Sequence, residues 1–361
     1  MMNRSLRTMT LHFILCLLIC PAVLTAVESS AVAAQEGGAD GLVTVDSINN
    51  VDDTVNLLTN VIEERGLLLA RVVDHAANAE SVGLELRPTK LILFGNPALG
   101  TQLMNNNKQV GIDLPQKYLV WEDENGATHV SYNSPQYLVD RYSLTGPQDA
   151  IAAISGALQN FASTVSLPAP ETLPVTGASS SNGSWLIILL LAAGVLFSYG
   201  VLRQRIYARI GMAVLLMVLA IHAGVGLSAQ GDNGLIVVDS ALSVDETVAR
   251  LQDEIAARDL NTMMVLDHAA NATSVDQTLL PTKLILFGNP RVGTQLMQSQ
   301  QTVAIDLPQK FLVWEEAGGA VHVAYNDPAY LGTRHAIADR DELLGRVSGI
   351  LAEIASSTTN E

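Results

Sequence analysis

The chain is poor in thiols. Its two cysteines, Cys16 and Cys20, both lie in the first apolar run of 361 residues. Once that run is removed, no thiol remains, which excludes disulfides, thiolate catalysis and cysteine-based zinc sites. Positive charge is also scarce: 20 Lys and Arg stand against 36 Asp and Glu, a formal net charge of −16. Neutralising phosphates needs clustered Lys and Arg, so nucleic acid is excluded as a partner. The negative excess instead suits a soluble, self-repelling surface. No glycine-rich phosphate loop follows a strand, since Gly95-Asn-Pro-Ala-Leu-Gly100 lacks the dinucleotide spacing. No His-x-x-x-His or similar metal-binding spacing occurs either.

What the chain does have is an internal repeat. Pro88-Thr-Lys-Leu-Ile-Leu-Phe-Gly-Asn-Pro97 returns letter for letter as Pro281 to Pro290. Around it Gly41 to Val139 matches Gly234 to Gly332 at a constant offset of 193. Roughly three fifths of the paired positions are identical, so one domain is used twice. Each copy with its tail spans about 120 residues, enough to bury a core of its own.

Residues 1–34 read as a secretory signal, with Arg4 and Arg7 before an apolar core from Leu11 to Leu24 and small residues at Ala31-Val-Ala33. The first repeat, 41–166, opens with a strand at Leu42-Val-Thr-Val45. Apolar residues at 51, 55, 58 and 62 then predict a helical face, with Asp52 and Asp53 suited to its first turn. Leu67 to Val73 predicts a strand, and Asp74 caps a short helix. Lys90 to Phe94 is the next strand, after which Asn96 caps a helix that begins at Pro97. Lys117 to Glu122 and Thr128 to Tyr132 form a hairpin around Asp-Glu-Asn-Gly, and a last helix covers about 148–164. The second repeat, 234–355, follows the same order and closes with a helix near 341–354. Hairpin strands with helices between them predict an α+β domain rather than a doubly wound sheet.

Between the repeats, residues 167–184 form a Pro/Ser linker of extended character. It contains Leu173-Pro174-Val175-Thr176-Gly177, which looks like a cell-wall sorting signal. In such signals a sortase-like transpeptidase cuts after the threonine and joins the chain to the wall. These signals normally end a protein, whereas this chain continues. Residues 185–202 have the length of a transmembrane helix, and residues 210–229 form a second span or a second signal-like segment. Arg203, Arg205 and Arg209 fall in the short loop 203–209 between them, which predicts a cytoplasmic loop and both repeats outside.

Asp-His, then Pro-Thr-Lys-Leu-Ile-Leu-Phe-Gly-Asn-Pro, then Asp-Leu-Pro-Gln-Lys and a Trp-Glu strand resemble the domain-of-unknown-function family 302. Both copies match, over about two thirds of the chain. The resemblance implies an antiparallel sheet with helices on one face, a shape similar to the TATA-binding-protein fold. It implies no activity, and the DNA association of that shape does not carry over without a basic face.

The ligand-binding candidates come in pairs. His75 and His268 end a strand, each after an Asp, and suit a proton carrier or a metal ligand or a packed residue beside a helix cap. His129 and His322 sit in the last hairpin strand, facing Glu122 or Glu315 or joining His75 in a metal site. Lys90, Lys117, Lys283 and Lys310 head apolar strands and either grip an anion together with the helix N-termini at Asn96 and Asn289 or snorkel to solvent. Trp121 and Trp314 read as core or pocket walls. Cofactor and metal stay undetermined. Three function classes stand open: a membrane-tethered extracytoplasmic module binding or sensing a small ligand, a His-dependent enzyme or metal-binding protein, and a structural protein whose repeats pair within the chain or as a homodimer.

Overall fold

The computed structural model describes residues 40–166 and 233–359. The expected signal (1–34), linker and sorting segment (167–184), both apolar spans (185–202 and 210–229) and the arginine loop (203–209) lie outside the described residues. Among the described residues no helix is long and apolar enough to cross a membrane.

The first repeat runs β1 (Leu42–Ser47), α1 (Val51–Glu64), β2 (Leu68–Asp74), α2 (His75–Glu80), β3 (Thr89–Gly95), α3 (Pro97–Asn106), a 3-10 turn (Lys108–Ile112), β4 (Gln116–Glu122), β5 (Thr128–Asn133), α4 (Pro135–Tyr142) and α5 (Gln148–Ser163). The second runs β6 (Leu235–Ser240), α6 (Val244–Ala256), β7 (Asn261–Asp267), α7 (His268–Thr273), β8 (Thr282–Gly288), α8 (Pro290–Ser299), a 3-10 turn (Gln301–Ile305), β9 (Gln309–Glu315), β10 (Val321–Asn326), α9 (Pro328–Arg334) and α10 (Asp341–Ser356). Each repeat carries a five-stranded sheet, ordered β1-β5-β4-β3-β2 and β6-β10-β9-β8-β7. Neighbouring strands are antiparallel, with Leu91 opposite Leu119 and Val120 opposite Val130. The α+β expectation therefore holds for both copies.

Local chemistry explains the elements. In α1 the Asn50 side chain accepts from the Asp53 N–H, and Val51, Val55, Leu58 and Ile62 form the buried stripe. Its counterpart α6 starts with a capping box between Ser243 and Glu246. The Asp74 side chain accepts from the Ala77 N–H to start α2. Asn96 accepts from the N–H groups of Ala98 and Leu99, with Pro97 as the first residue of α3. One helix is not among the sequence expectations: Ser134 caps α4 through the Tyr137 N–H, and Pro135 starts the helix. This helix interrupts what the sequence reading takes as a direct path from hairpin to last helix.

The strands alternate between two cores. In the second sheet Ile285, Phe287, Phe311 and Val313 pack with residues of α6 and α10. The opposite face, Leu284, Leu286, Leu312 and Trp314, belongs to one apolar cluster with the core of the first repeat. The 3-10 turn of each repeat lies against the other repeat's sheet, Lys108–Ile112 on β8 and β9 and Gln301–Ile305 on β3 and β4. The helices α3 and α7 pack together, as do α8 and α2. The second repeat thus buries one core with its own helices and shares another with the first. The runs Leu91-Ile-Leu-Phe94 and Leu284-Ile-Leu-Phe287 are buried throughout, and such runs need cover on both faces. Own helices cover one face, and the other repeat covers the second.

Gly41 (φ +74°) holds a place no other residue fits: a Cβ there would meet Tyr137 Cδ2 at 2.3 Å. Gly234 stands against Tyr330 in the same way. Each glycine thus lets a tyrosine of α4 or α9 lie flat on the start of its own sheet.

Candidate functional site

Where the repeats meet, a buried polar centre forms from residues 193 positions apart. Asp113 follows the first 3-10 turn and is fully enclosed. It accepts from Lys117 Nζ (3.2 Å), Arg141 Nη1 (2.9 Å) and the Tyr142 hydroxyl (2.7 Å). Burial alone would raise the Asp113 carboxyl, but Lys117 and Arg141 overcome it and hold the pKa well below the usual range. Arg141 then crosses the junction, donating to the Asn233 carbonyl (2.8 Å) and to Asn326 Oδ1 (2.7 Å). Arg334 mirrors it. It donates to Asp306 Oδ2 at 2.9 Å, to the Asp40 carbonyl at 2.9 Å and to Asn133 Oδ1 at 2.6 Å. Its guanidinium lies 4.1 Å from the Tyr137 ring centre, as Arg141 lies 4.6 Å from that of Tyr330. The Tyr137 and Tyr330 hydroxyls bond at 2.8 Å.

The two halves of this centre differ. His335 stands where the first repeat has Tyr142 and bonds Asp306 Oδ2 at 2.8 Å. Lys310 turns to the Asp306 backbone carbonyl (2.9 Å), leaving Asp306 Oδ1 without a partner. Burial and the neighbouring Lys117 push the Lys310 ammonium down to about 7.

Flanking the centre are two related pockets, each built from both repeats. The larger, about 170 Å³, lies between Gly288-Asn-Pro290 at the β8–α8 turn, Leu307-Pro308 and helix α10. His75 and Asn78 of the first repeat close it. The smaller, about 60 Å³, repeats the plan with Gly95-Asn-Pro97, Leu114-Pro115 and Ile154, closed by His268 and Asn271 of the second repeat. The sequence reading singled out these histidines and asparagines, but nothing in it shows that each histidine serves the pocket of the other copy.

Both histidines are 5% exposed. Burial depresses each pKa to about 4, against weaker opposing effects of a carbonyl (Ala304 or Gly111) and the preceding Asp. They are therefore neutral near pH 7. His268 Nε2 bonds the Gly111 carbonyl at 3.2 Å, and the equivalent Ala304 carbonyl faces His75 without reaching hydrogen-bond geometry at its buried Nε2. Thr294 Oγ1 in the large pocket and Gln116 Nε2 in the small one are likewise buried and unpartnered.

The other candidates lie elsewhere. Lys117 and Lys310 belong to the central cluster, each beside the Asp of its own repeat. Lys90 bridges Asp52 (2.6 Å) and Asp74 (2.9 Å), and Lys283 bridges Asp245 (2.6 Å) and Asp267 (3.3 Å). Hydrogen bonding to these carboxylates raises both lysine pKa values. Lys90 opens β3 while Asn96 follows its far end, so the expected anion grip by this pair does not form. His129 faces Trp121 rather than Glu122 and bonds Asp46 at 2.8 Å. His322 faces Trp314 and bonds Asp239 at 2.8 Å. Trp314 is buried in the shared core, and Trp121 packs half-buried against it. Among the described residues no three His, Cys, Asp or Glu side chains gather as a metal-ligand set.

Chemically, the centre holds charge and joins the repeats, while the pockets offer apolar space with neutral polar atoms. The residues missed at sequence level, Asp113, Arg141, Tyr137 and their partners, left one signal: Asp, Arg and Tyr recur at the same offset of 193 in Asp306, Arg334 and Tyr330.

A stretch of 106 residues of the chain is 42% identical to the fluoride-specific ion channel FluC 1 of Brucella suis biovar 1, covering 29% of this chain and 42% of that protein. The fluoride-specific ion channel FluC 2 of Brucella melitensis biotype 1 matches at 42% over 106 residues, covering 29% of this chain and 39% of that protein. The chain thus spans about two fifths of the length of the curated relatives it matches. Among solved structures, an uncharacterized conserved protein DUF302 from Bacillus stearothermophilus aligns with 98% of its own length and 35% of this chain, at 17% identity and a TM-score of 0.33. The family model described as domain of unknown function DUF302 matches residues 43–161 and again 236–354. With these two matches covering more than half of its length, the chain belongs to the DUF302 family and carries its domain twice.

Proposed function

We propose that this protein is a membrane-tethered extracytoplasmic module that binds a small ligand in the pockets its two repeats build together. The observation that carries the reading is the cavity of about 170 Å³, lined by both repeats, in which Thr294 Oγ1 is buried without a partner. Unsatisfied buried polar atoms cost about 1–3 kcal/mol each, a cost that a ligand's polar group would offset. Support for the tether comes from the apolar segments 185–202 and 210–229 around the basic loop 203–209. The curated relatives, named as ion channels, add that sequence of this kind accompanies a membrane protein. Attachment to the cell wall through Leu173-Pro-Val-Thr-Gly177 by a sortase-like transpeptidase belongs to the same proposal.

The enzyme alternative finds little support, because His75 is the one acidic or basic side chain lining the larger pocket. A purely structural pseudo-dimer is supported by the Tyr137–Tyr330 contact but leaves the unpartnered polar atoms unexplained.

The test is a thermal-shift screen of the full-length chain against neutral, anionic and cationic small molecules. Stabilisers whose effect is reduced by Thr294→Val support the reading; no stabiliser in any class refutes it. Protease added to intact protoplasts tests the location: digestion of both repeats supports the topology, and protection of either one contradicts it.

A further inference from the structure

The two pockets share a plan but not a size, and their linings differ at several equivalent positions. Val292 lines the larger pocket where the smaller has Leu99, and Val347 stands where the smaller has Ile154. Each change adds one methylene to the first repeat's pocket. Asn261 likewise replaces Leu68 at the mouth. The two pockets measure about 170 Å³ and about 60 Å³. An apolar cavity of about 150 Å³ holds one benzene. By that measure the larger pocket has room for a six-membered ring, and the smaller does not.

The lining also restricts charge. Phe287, Met263, Met297 and aliphatic neighbours form the walls, and no Asp, Glu, Lys or Arg lines the cavity. A charged ligand would lose its hydration there with no counter-charge in the lining, at a cost of several kcal/mol. His75 supplies no charge, since burial keeps the imidazole neutral at physiological pH. The buried Thr294 hydroxyl has no partner, and His75, Asn78, Asn261 and Gln309 add further neutral polar groups to the lining. A neutral imidazole and a hydroxyl match one hydroxyl or carbonyl group on an otherwise apolar molecule.

We infer that the protein holds one ligand per chain, a neutral ring-sized molecule bearing a hydroxyl or carbonyl group, in the second repeat's pocket under His75. The first repeat's pocket is a contracted copy that does not take it. This inference rests on the ligand-binding reading above and adds the ligand class and the stoichiometry.

Methionine methyl groups report each pocket separately, because Met263 and Met297 line the larger one and Met104 the smaller. The experiment titrates the full-length chain, carbon-13 labelled at its methionine methyls, with phenol, benzoate and benzylammonium. Phenol is expected to shift Met263 and Met297, to leave Met104 in place and to saturate at one equivalent. Benzoate and benzylammonium are expected to leave all three in place. Val292→Leu with Val347→Ile should weaken phenol at least tenfold, and Leu99→Val with Ile154→Val should bring a second equivalent that shifts Met104. The enlarging pair does not depend on the crowded variant folding. A charged probe that shifts Met263 and Met297 as readily as phenol overturns the ligand class while leaving the binding reading intact. A Met104 shift in the unaltered chain overturns the single site. Silence of all three methyls toward every probe overturns the inference, and the library screen then decides on the binding reading alone.

Discussion

Tyr137 and Tyr330 occupy the same place in the two repeats, and their hydroxyls bond each other at 2.8 Å. Such self-pairing of equivalent residues is the signature of an isologous interface, here formed inside one chain. Around it Arg141 and Arg334 each neutralise the aspartate of their own repeat and bond an asparagine of the other. Charge balance and repeat pairing therefore depend on the same side chains.

Replacing Arg141 by alanine leaves Asp113 buried with Lys117 as its remaining cation. Removing one partner of a buried pair costs about 3–5 kcal/mol, and urea denaturation should show a loss of that order. Arg346→Ala breaks an exposed pair with Glu342 and should change stability by less than about 0.5 kcal/mol.

The first repeat expressed alone, residues 40–166, bares the sheet face that the 3-10 turn Gln301–Ile305 covers. It also bares the Asp113–Arg141 pair. Self-association into a dimer that mimics the natural pairing is the expected outcome by light scattering. A monodisperse, cooperatively folding monomer would contradict the shared core.

Acid should weaken the fold through His75 and His268. Their folded pKa values, about 4, lie below the ordinary value of 6.5. Between these limits the unfolded chain binds more protons, so stability falls as pH falls from 6.5 towards 4. The two shifts correspond to about 3 kcal/mol for each histidine. Chemical denaturation at stepped pH should show this loss in the natural chain and a flatter profile in a His75→Gln, His268→Gln variant.

Much of this architecture is legible in the sequence. Local signals, such as the alternation in the strands, the Asn96–Pro97 helix start and the Asp74 cap, depend on neighbours within a few residues. The pairing of Asp113 with Arg141 spans 28 positions, and that of Arg141 with Asn326 spans 185. No period in the chain announces either. The short helix α4 escaped because its signal is only Ser134-Pro135, with no long apolar stripe behind it. Residue type alone does not gather the candidates, because Lys90 and His129 bond carboxylates near them. His75 and Asn289 do share a pocket, but one is supplied by each repeat.

Thr294 offers a trade between stability and binding. Its hydroxyl is buried without a partner, so Thr294→Val should raise stability by about 1 kcal/mol. The same change should weaken any ligand that uses this hydroxyl. Thermal denaturation with and without phenol reads both effects, and a destabilised variant with unaltered phenol binding would remove Thr294 from the site.

The interlocking of the repeats is tested most directly by a double-mutant cycle on Arg87 and Gln301. Arg87 donates to Gln301 Oε1 at 2.9 Å across the junction, and Gln301 Nε2 donates to Thr89 Oγ1 at 2.7 Å. With Arg87→Ala, Gln301→Ala and the double variant in the full-length chain, a coupling energy of about 1.5–3 kcal/mol is expected, as for hydrogen bonds to a charged group. Additivity within about 0.3 kcal/mol would mean that the two repeats do not meet in solution as they do here.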